Sequence, residues 1–548
     1  MDSDFWKDKY PIGIAHTIEP SCYNNILEIF AMACQKFAEQ PAFTNSNHTI
    51  TYQQLDALSM QLASYLQQLS GLQKGDRIAI QMPNLLQYPV VVFAIIRAGF
   101  VVVNTNPLYT AREMLYQFND AGVKCIICLS AISPKLESII AKTAIQHVIL
   151  TELDDLHCSS LQQINHYSVA NSIHLTEAFI LGQSLAFKQL SIQPDDIAVL
   201  QYTGGTTGIV KGAILTQRNL TANTLQCKVL LERTLAVGKE IVIAPLPMYH
   251  VYAFTINCMA LLMLGVNNIL ITNPRDTAKV VQEIAKIPFT VFIGVNTLFV
   301  ALSNDSQFKH LDFSHLKLTI SGGMALQPTT NTAWKEITNT DICEGYGLTE
   351  ASPVVSFNYV ENIQQGSIGM PVASTLCKVI DDNENELPIG EYGELCIKGP
   401  QIMQGYWNHP EETAKVFTAD GWLKTGDIAL IQADGYIRII DRKKDIILVS
   451  GFNVYPNELE NVLAELSGIT MAAAIGVPDP NSGEAIKLFI VLKEGVILTE
   501  SEIMTYLHEN LASYKCPKYL EFREQLPVTN VGKVLRKQLR EQELKNYH

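Results

Sequence analysis

The chain has 548 residues, 47% of them hydrophobic, 17% charged and 8% aromatic. At about 150 residues per unit this predicts roughly three to four core-forming units and excludes global disorder. Its 32 Gly and 23 Pro are near average usage, which excludes collagen-like and low-complexity classes. Forty Lys and Arg against 54 Asp and Glu give a net charge of −14. That argues against nucleic acid as a partner, since phosphate neutralisation needs clustered cations, yet a local basic pocket can still hold a small anion. Eleven cysteines, an odd number, read as reduced thiols of a cytoplasmic protein rather than a disulfide framework. The start, MDSDFWKDKY, has no apolar core of a secretory signal.

Residues 52–69 have helical spacing, with Leu55, Leu58, Leu62, Tyr65 and Leu66 on one face. Lys74-Gly75-Asp76 is a turn and 77–81 a short strand. A buried helix over 89–98 leads to a strand at 101–104; 123–129 is a strand, and Ala131 opens another helix. This alternation predicts mostly parallel sheets covered by helices. Cys125 and Cys128 form a CxxC within the strand 123–129. An offset of three puts their sulfurs on opposite faces, so neither a metal nor a redox pair is expected. The apolar stretch 251–266 is interrupted by Thr255, Asn257 and Gly265. It is shorter than the about 20 residues a bilayer requires, and reads as a buried helix.

From Leu376 the pattern changes. Short β-like runs at 377–380, 393–398 and 436–440 lie between Gly, Asp, Asn and Pro turns and predict a small antiparallel or β-barrel section. After Asp441 a compact α+β unit begins, with helices at 458–466 and 500–511 and strands at 472–477 and 488–492. The expected fold class is therefore α/β. A large N-terminal domain, 1–440, has parallel-rich αβαβα-type sheets plus the small β-barrel section, and a small mobile α+β domain spans 441–548. The boundary falls in the charged stretch Asp441-Arg442-Lys443-Lys444-Asp445, with no Pro or Ser-rich linker.

The first chemical signal is Thr203-Gly204-Gly205-Thr206-Thr207-Gly208-Ile209-Val210-Lys211, after the apolar run 197–200. Glycines let backbone N–H groups approach a phosphate; threonine hydroxyls add donors or metal contacts, and Lys211 adds a mobile cation. The spacing G-x-x-G-x-x-K is not the Walker pattern G-x-x-x-x-G-K-[ST]. A Gly/Thr-rich turn without a ligand is the plain alternative.

Two further segments narrow the choice: Glu344-Gly345-Tyr346-Gly347-Leu348-Thr349-Glu350 and Gly421-Trp422-Leu423-Lys424-Thr425-Gly426-Asp427. In this order, the three motifs resemble the adenylate-forming superfamily of acyl-CoA synthetases, luciferases and peptide-synthetase adenylation domains, over nearly the whole chain. Within it, the segments 82–89, 104–109 and 449–456, together with 441–445, are most similar to bacterial long-chain fatty acid–CoA ligases.

The resemblance implies a two-step reaction. ATP activates a fatty acid to acyl-AMP with release of pyrophosphate, and CoA then takes the acyl group and releases AMP. Thr203 to Lys211 match the loop for the β- and γ-phosphates, and Glu350, with Thr203, matches the Mg²⁺ site, hard oxygen donors as Mg²⁺ prefers. Tyr346, between Gly345 and Gly347, matches the adenine-stacking aromatic. Thr349 falls at the α-phosphate, and Asp427 and Arg442 at the ribose. Lys533, in 527–534, matches the lysine between carboxylate and α-phosphate, with Gly532 allowing a close approach. Arg536, Lys537 and Arg540 are read as solvated charges or as neighbours of the CoA phosphates. Asp441 matches a hinge about which the small domain rotates between the steps. Ser450, Gly451 and Phe452 match the pantetheine tunnel, and Lys444 is grouped with them as a substrate-binding residue. For the acyl pocket the resemblance implies His250, Val251 and Phe254, the last where some long-chain enzymes carry a gating tryptophan. Gly322 and Gly323 match a loop between adenine and pocket. His250 is read as a positioning residue or a satisfied core histidine. The remaining implications are a cytoplasmic enzyme with peripheral contact at the inner face of the cytoplasmic membrane, and a homodimer as known in the family. The alternatives are a medium-chain or aryl-acid CoA ligase and a catalytically inactive acyl- or nucleotide-binding protein. A kinase or ATPase is disfavoured because the Walker spacing and kinase motifs are missing.

Overall fold

The computed structural model describes residues 4–157, 169, 172–203, 210–480, 482–529 and 532–546. Strands buried on both faces, such as Val101–Asn104 and Val291–Gly294, suit the interior of parallel sheets. Among the described residues two large sheets form around such runs. One has seven strands in the order Ser172–His174, His147–Thr151, Val123–Leu129, Arg77–Gln81, Val101–Asn104, Ile197–Thr203, Lys211–Thr216, parallel except for the last pair. The other has nine. Its parallel centre runs Ile342–Gly347, Leu318–Ser321, Val291–Gly294, Ile241–Ala244, Asn267–Leu270, Pro41–Asn45, and antiparallel strands flank both ends.

The helix Tyr52–Leu66 starts on a capping box between Thr51 and Gln54 and ends three residues earlier than its spacing suggested. The helix expected over 89–98 spans Gln87–Arg97 and is buried on every side. Pro89 thus sits in the first turn, where its missing N–H has no intrahelical acceptor to lose. Cys125 packs in the main core and Cys128 in a second core across the sheet. The stretch after His250 is helical over Val251–Thr255, opens into a π-helical turn at Ile256–Ala260 and closes over Leu261–Met263. Among the described residues no helix is long and apolar enough to cross a membrane.

The expected β-barrel section is an open four-stranded antiparallel sheet of Leu376–Ile380, Tyr392–Lys398, Leu423–Ile431 and Ile437–Arg442, whose first and last strands do not pair. Alternating short strands dictate antiparallel neighbours, but closure also needs enough strands with matched tilt and stagger. The last strand carries Asp441 and Arg442, and its register sets Arg442 opposite Asp427.

Beyond it, a five-stranded sheet contains Ile447–Val449, Phe452–Val454, Ile469–Asp479, Gly483–Leu492 and Tyr519–Phe522. It has cores of its own: Leu459, Leu463, Leu488 and Ile503 on one side, Ile475, Phe489 and Leu539 on the other.

Candidate active site

In open α/β sheets, ligands bind beyond the carboxyl ends of the strands. The ends of Val101–Asn104, Ile197–Thr203, Leu318–Ser321 and Ile342–Gly347 surround a cavity of about 940 Å³. Thr203, Lys211, His250, Val251, Gly322 and Gly323 line it. So do Gly345, Tyr346, Gly347, Thr349 and Glu350, and, from later in the chain, Arg442, Lys444 and Lys533. Apolar wall comes from Leu230, Leu231, Ile256, Val295 and Ile320. Gly204, Gly205, Thr206, Thr207 and Gly208 lie outside the described residues, as do Asn530 and Val531.

Asp427 is almost fully buried and both its oxygens are engaged. Arg442 Nε lies 2.8 Å from Oδ1, and the Tyr346 hydroxyl donates to Oδ2. One carboxylate therefore fixes both the guanidinium and the aromatic ring. Burial, then the Asp427 charge, pushes the Tyr346 phenol well up, so it stays a donor. Glu350 is held from its other side: the Tyr406 hydroxyl donates to Oε1 at 2.7 Å, and Met403 N–H donates to the Glu350 carbonyl at 2.8 Å.

Lys211 departs from the expected mobile cation. It is buried, paired with Glu412, and stands 5.0 Å above the Tyr406 ring. Its cross-strand partner is Thr203. The ammonium, with help from Lys415, holds the Glu412 carboxyl down at about 2.

Lys533 sits in a turn closed by its own backbone: Lys533 N–H donates to Thr529 Oγ1 at 3.1 Å, and Thr529 N–H to the Lys533 carbonyl at 2.7 Å. Gly532 has φ +80°, and a Cβ there would stand 2.2 Å from Thr297 Oγ1, so the glycine is what lets this turn dock on the helix Asn296–Asn304. Burial, then the neighbouring Arg442 guanidinium, brings the Lys533 ammonium down to about 8.

His250 caps the helix Val251–Thr255, its Nδ1 accepting from Tyr252 N–H at 3.4 Å. Burial lowers its imidazole to about 4, so it is neutral near pH 7. With Nδ1 accepting, the proton resides on Nε2.

Other expected residues are not brought to the cavity. Phe254 is fully buried in the main core. Ser450, Gly451 and Phe452 form an exposed hairpin turn that does not line it. Arg536, Lys537 and Arg540, by contrast, do line the cavity, and the two arginines are ion-paired rather than solvated. Arg536 is buried against Glu460 at 2.7 Å, and Arg540 meets Asp445 at 2.8 Å.

A family model described as AMP-binding enzyme matches residues 30–407, and one described as AMP-binding enzyme C-terminal domain matches 458–533. This chain belongs to the AMP-binding enzyme family. It is 48% identical to a long-chain-fatty-acid–CoA ligase of Salmonella typhimurium, over 98% of each chain. Among solved structures it is similar to ATP-bound MatB from Rhodopseudomonas palustris (TM-score 0.84, 30% identity, 96% of this chain and 100% of that one). It is also similar to the anthranilate CoA ligase AuaEII in complex with anthranoyl-AMP (TM-score 0.86, 25% identity, 96% and 99%).

Three side chains of this AMP-binding enzyme that touch the site had no signal in the sequence strong enough to single them out. Tyr406 and Glu412 reach Glu350 and Lys211 from 56 and 201 residues away. Tyr252 packs its ring where a Cβ on Gly322 would stand, 3.0 Å away.

Glu344 precedes the glycine-flanked tyrosine, and its Oε1 accepts from Leu326 N–H at 3.1 Å. Burial pushes its carboxyl from 4.5 up to about 8. Between those values the folded state holds a proton that the unfolded chain has released. The residue's contribution to stability therefore falls as pH rises through this window and is lowest above about pH 8. Glu344→Gln cannot titrate. Its Tm is expected to match the parent near pH 5 and to exceed it by about 2–4 °C at pH 8.5. A constant Tm difference across that range in thermal melts would contradict the assignment.

Proposed function

We propose that this chain is an AMP-forming long-chain fatty acid–CoA ligase. The observation that carries the reading is a single cavity lined by Tyr346, Glu350, Arg442 and Lys533 on the one hand and by Leu230, Leu231 and Ile256 on the other. A charged nucleotide site and an apolar wall share one space. Support comes from relatives named long-chain-fatty-acid–CoA ligase, 44–48% identical over nearly the whole chain.

In the first step a fatty-acid carboxylate oxygen attacks the α-phosphorus of ATP. A carboxylate O–Pα bond forms, the bond from Pα to the oxygen bridging to Pβ breaks, and pyrophosphate leaves with that oxygen. Both reactants are anions, so catalysis is positioning and charge neutralisation. Lys533 and Thr349 stabilise the α-phosphate, Tyr346 stacks on adenine, and Asp427 and Arg442 hold the ribose. Asp427 keeps spare lone pairs for ribose hydroxyls because each carboxylate oxygen accepts twice. The described strand end at Thr203 and the buried Lys211 frame the loop for the outer phosphates, whose charge competes with Glu412 for Lys211. In the second step the CoA thiolate attacks the acyl carbon, a thioester forms and AMP departs.

The residues fit a magnesium ion. Glu350 and Thr203 are hard oxygen donors that both line the cavity, and Tyr406 orients the carboxylate. Among the described residues no group of three His, Cys, Asp or Glu forms a metal cage, so the remaining ligands would be phosphate and water, as Mg²⁺ favours. When bound, the ion neutralises phosphate charge.

The proposal divides the chain at Asp441 into 1–440 and a rotating 441–548. Asp441 is fully buried, with Oδ1 accepting from Arg442 N–H at 2.7 Å and Oδ2 from Asn457 N–H at 2.8 Å. One carboxylate thus ties the end of a strand to the start of the helix Pro456–Ala464. The proposal extends to a cytoplasmic enzyme, peripheral contact with the inner membrane face from which long-chain acids come, and a homodimer.

The test is AMP and pyrophosphate formation with ATP, Mg²⁺ and CoA across acids from acetate to oleate. The expected rate peaks at long chains, with thioester as product. Activity confined to short or aromatic acids would overturn the substrate, and ADP in place of AMP would overturn the chemistry.

A further inference from the structure

We infer that Tyr88, Asn104 and Gln201 form a hydrogen-bond relay that positions the turn carrying Tyr249 and His250 at the cavity wall. The inference rests on the ligase reading for its chemistry, but its geometry stands by itself. The three residues come from the helix Gln87–Arg97 and from two adjacent strands, with Asn104 and Gln201 paired in register. All three are buried. The turn they reach follows Ile241–Ala244, a strand of the other large sheet.

The direction of the relay follows from its last atom. The Tyr249 carbonyl can only accept, so Gln201 must present its amide nitrogen there, at 3.0 Å. The Gln201 oxygen then faces Asn104, which donates to it at 2.9 Å. That turns the Asn104 oxygen toward Tyr88, whose hydroxyl lies 2.6 Å away. Neither amide can be flipped without setting oxygen against oxygen. The Tyr88 hydroxyl also stands 2.7 Å from the Met248 carbonyl. One phenolic proton therefore serves two acceptors, one in the relay and one in the turn. Burial holds the phenol far above its ordinary range, so that proton is present at any working pH.

Asn84 completes the grip. Its amide donates to the carbonyls of Ala244 and Leu246 at 3.2 and 2.8 Å and accepts from Met248 N–H at 2.8 Å. The main chain at 244, 246, 248 and 249 is thus held by side chains of a neighbouring layer. Buried backbone groups require partners, and satisfying them is the ordinary role of such amides. Here Asn104, Gln201, Tyr249 and His250 also line the cavity, so any slack in the relay moves the His250 Nε2–H at the site. A displacement near 1 Å at a reacting centre can cost about 10²-fold in rate. The relay also gives a physical meaning to the segments 82–89 and 104–109, which contain Asn84, Tyr88 and Asn104.

Two mild variants test it, Tyr88→Phe and Gln201→Met, with the full-length protein. The first reading is the imidazole of His250, followed by ¹⁵N-histidine NMR and assigned with His250→Gln. Both variants are expected to shift the His250 Nε2 resonance and leave that of His508 in place. The second is oleate-dependent ATP–pyrophosphate exchange. Here kcat is expected to fall about tenfold, with the Kd for ATP unchanged and the Tm lowered by a few degrees, since each variant leaves buried polar groups unpaired. An unmoved His250 resonance in both variants would overturn the relay whatever the activity. A kcat that stays at the parent value beside the lowered Tm would reduce the three residues to plain structure. If the parent protein shows no exchange with oleate, the ligase reading fails, and the His250 resonance still decides the relay.

Discussion

Lys533→Ala is expected to lower oleate-dependent ATP–pyrophosphate exchange by about 10²–10³-fold while sparing thioester formation from supplied oleoyl-AMP. The turn that carries Lys533 is anchored by Thr529 and by the glycine contact with Thr297, so the side chain reaches the cavity from a defined base. Its ammonium is buried beside Arg442, which is an unfavourable place for a second cation until an anion arrives. Without a nucleotide the amine is easily deprotonated, at about 8. A triphosphate restores the reason for its charge, so ATP binding at pH 8.5 is expected to take up a proton, and Lys533→Ala to abolish that uptake. Calorimetry in two buffers of different ionisation enthalpy reads it directly. Equal losses in both half-reactions would remove Lys533 from its assigned step.

Much of this architecture is legible in the residues. Short, mostly apolar runs gave the strands Arg77–Gln81, Val101–Asn104 and Val123–Leu129 their observed limits, as expected of strands largely buried on both faces. The helix after Thr51 announced itself by its apolar stripe. The motif residues Thr203, Tyr346, Glu350, Arg442 and Lys533 do converge on one cavity, and Asp427 is bonded to two of its wall residues. What escaped is non-local. Nothing near Lys211 in sequence foretells Glu412, and a basic residue after a glycine loop reads as free until its partner is seen. Nor does the alternation at 377–440 say whether the strands close into a barrel, since closure depends on strand number and stagger rather than on which face is apolar. Phe254 followed the same logic. The resemblance sets it where some long-chain enzymes carry a gating tryptophan, yet helical geometry turns it into the core while Tyr252 meets Gly322.

The other large effect is expected at Gly451, where Gly451→Trp should cut thioester formation from oleoyl-AMP by about 10²-fold and leave pyrophosphate exchange near the parent rate. In the observed arrangement Gly451 is in an exposed turn with φ +84° and open space around a Cβ. Phe452 beside it is 58% exposed, its ring 5.0 Å from Tyr514. With Lys533 at the cavity and this turn facing solvent, a bulky side chain has nothing to obstruct in the first step. If the small domain then rotates about Asp441, the turn arrives at the cavity, and the indole fills the path that pantetheine needs. Two causes of loss must be separated. Any L-residue here carries left-handed backbone strain of roughly 1–2 kcal/mol, so Gly451→Ala is the control, with the same strain and almost no bulk. Thiolation retained in the alanine variant and lost in the tryptophan variant assigns the effect to obstruction. Equal loss in both assigns it to strain and removes the tunnel role. Normal oleoyl-CoA synthesis by Gly451→Trp would mean that this turn never approaches the acyl carbon, and the two-orientation reading would lose its structural basis.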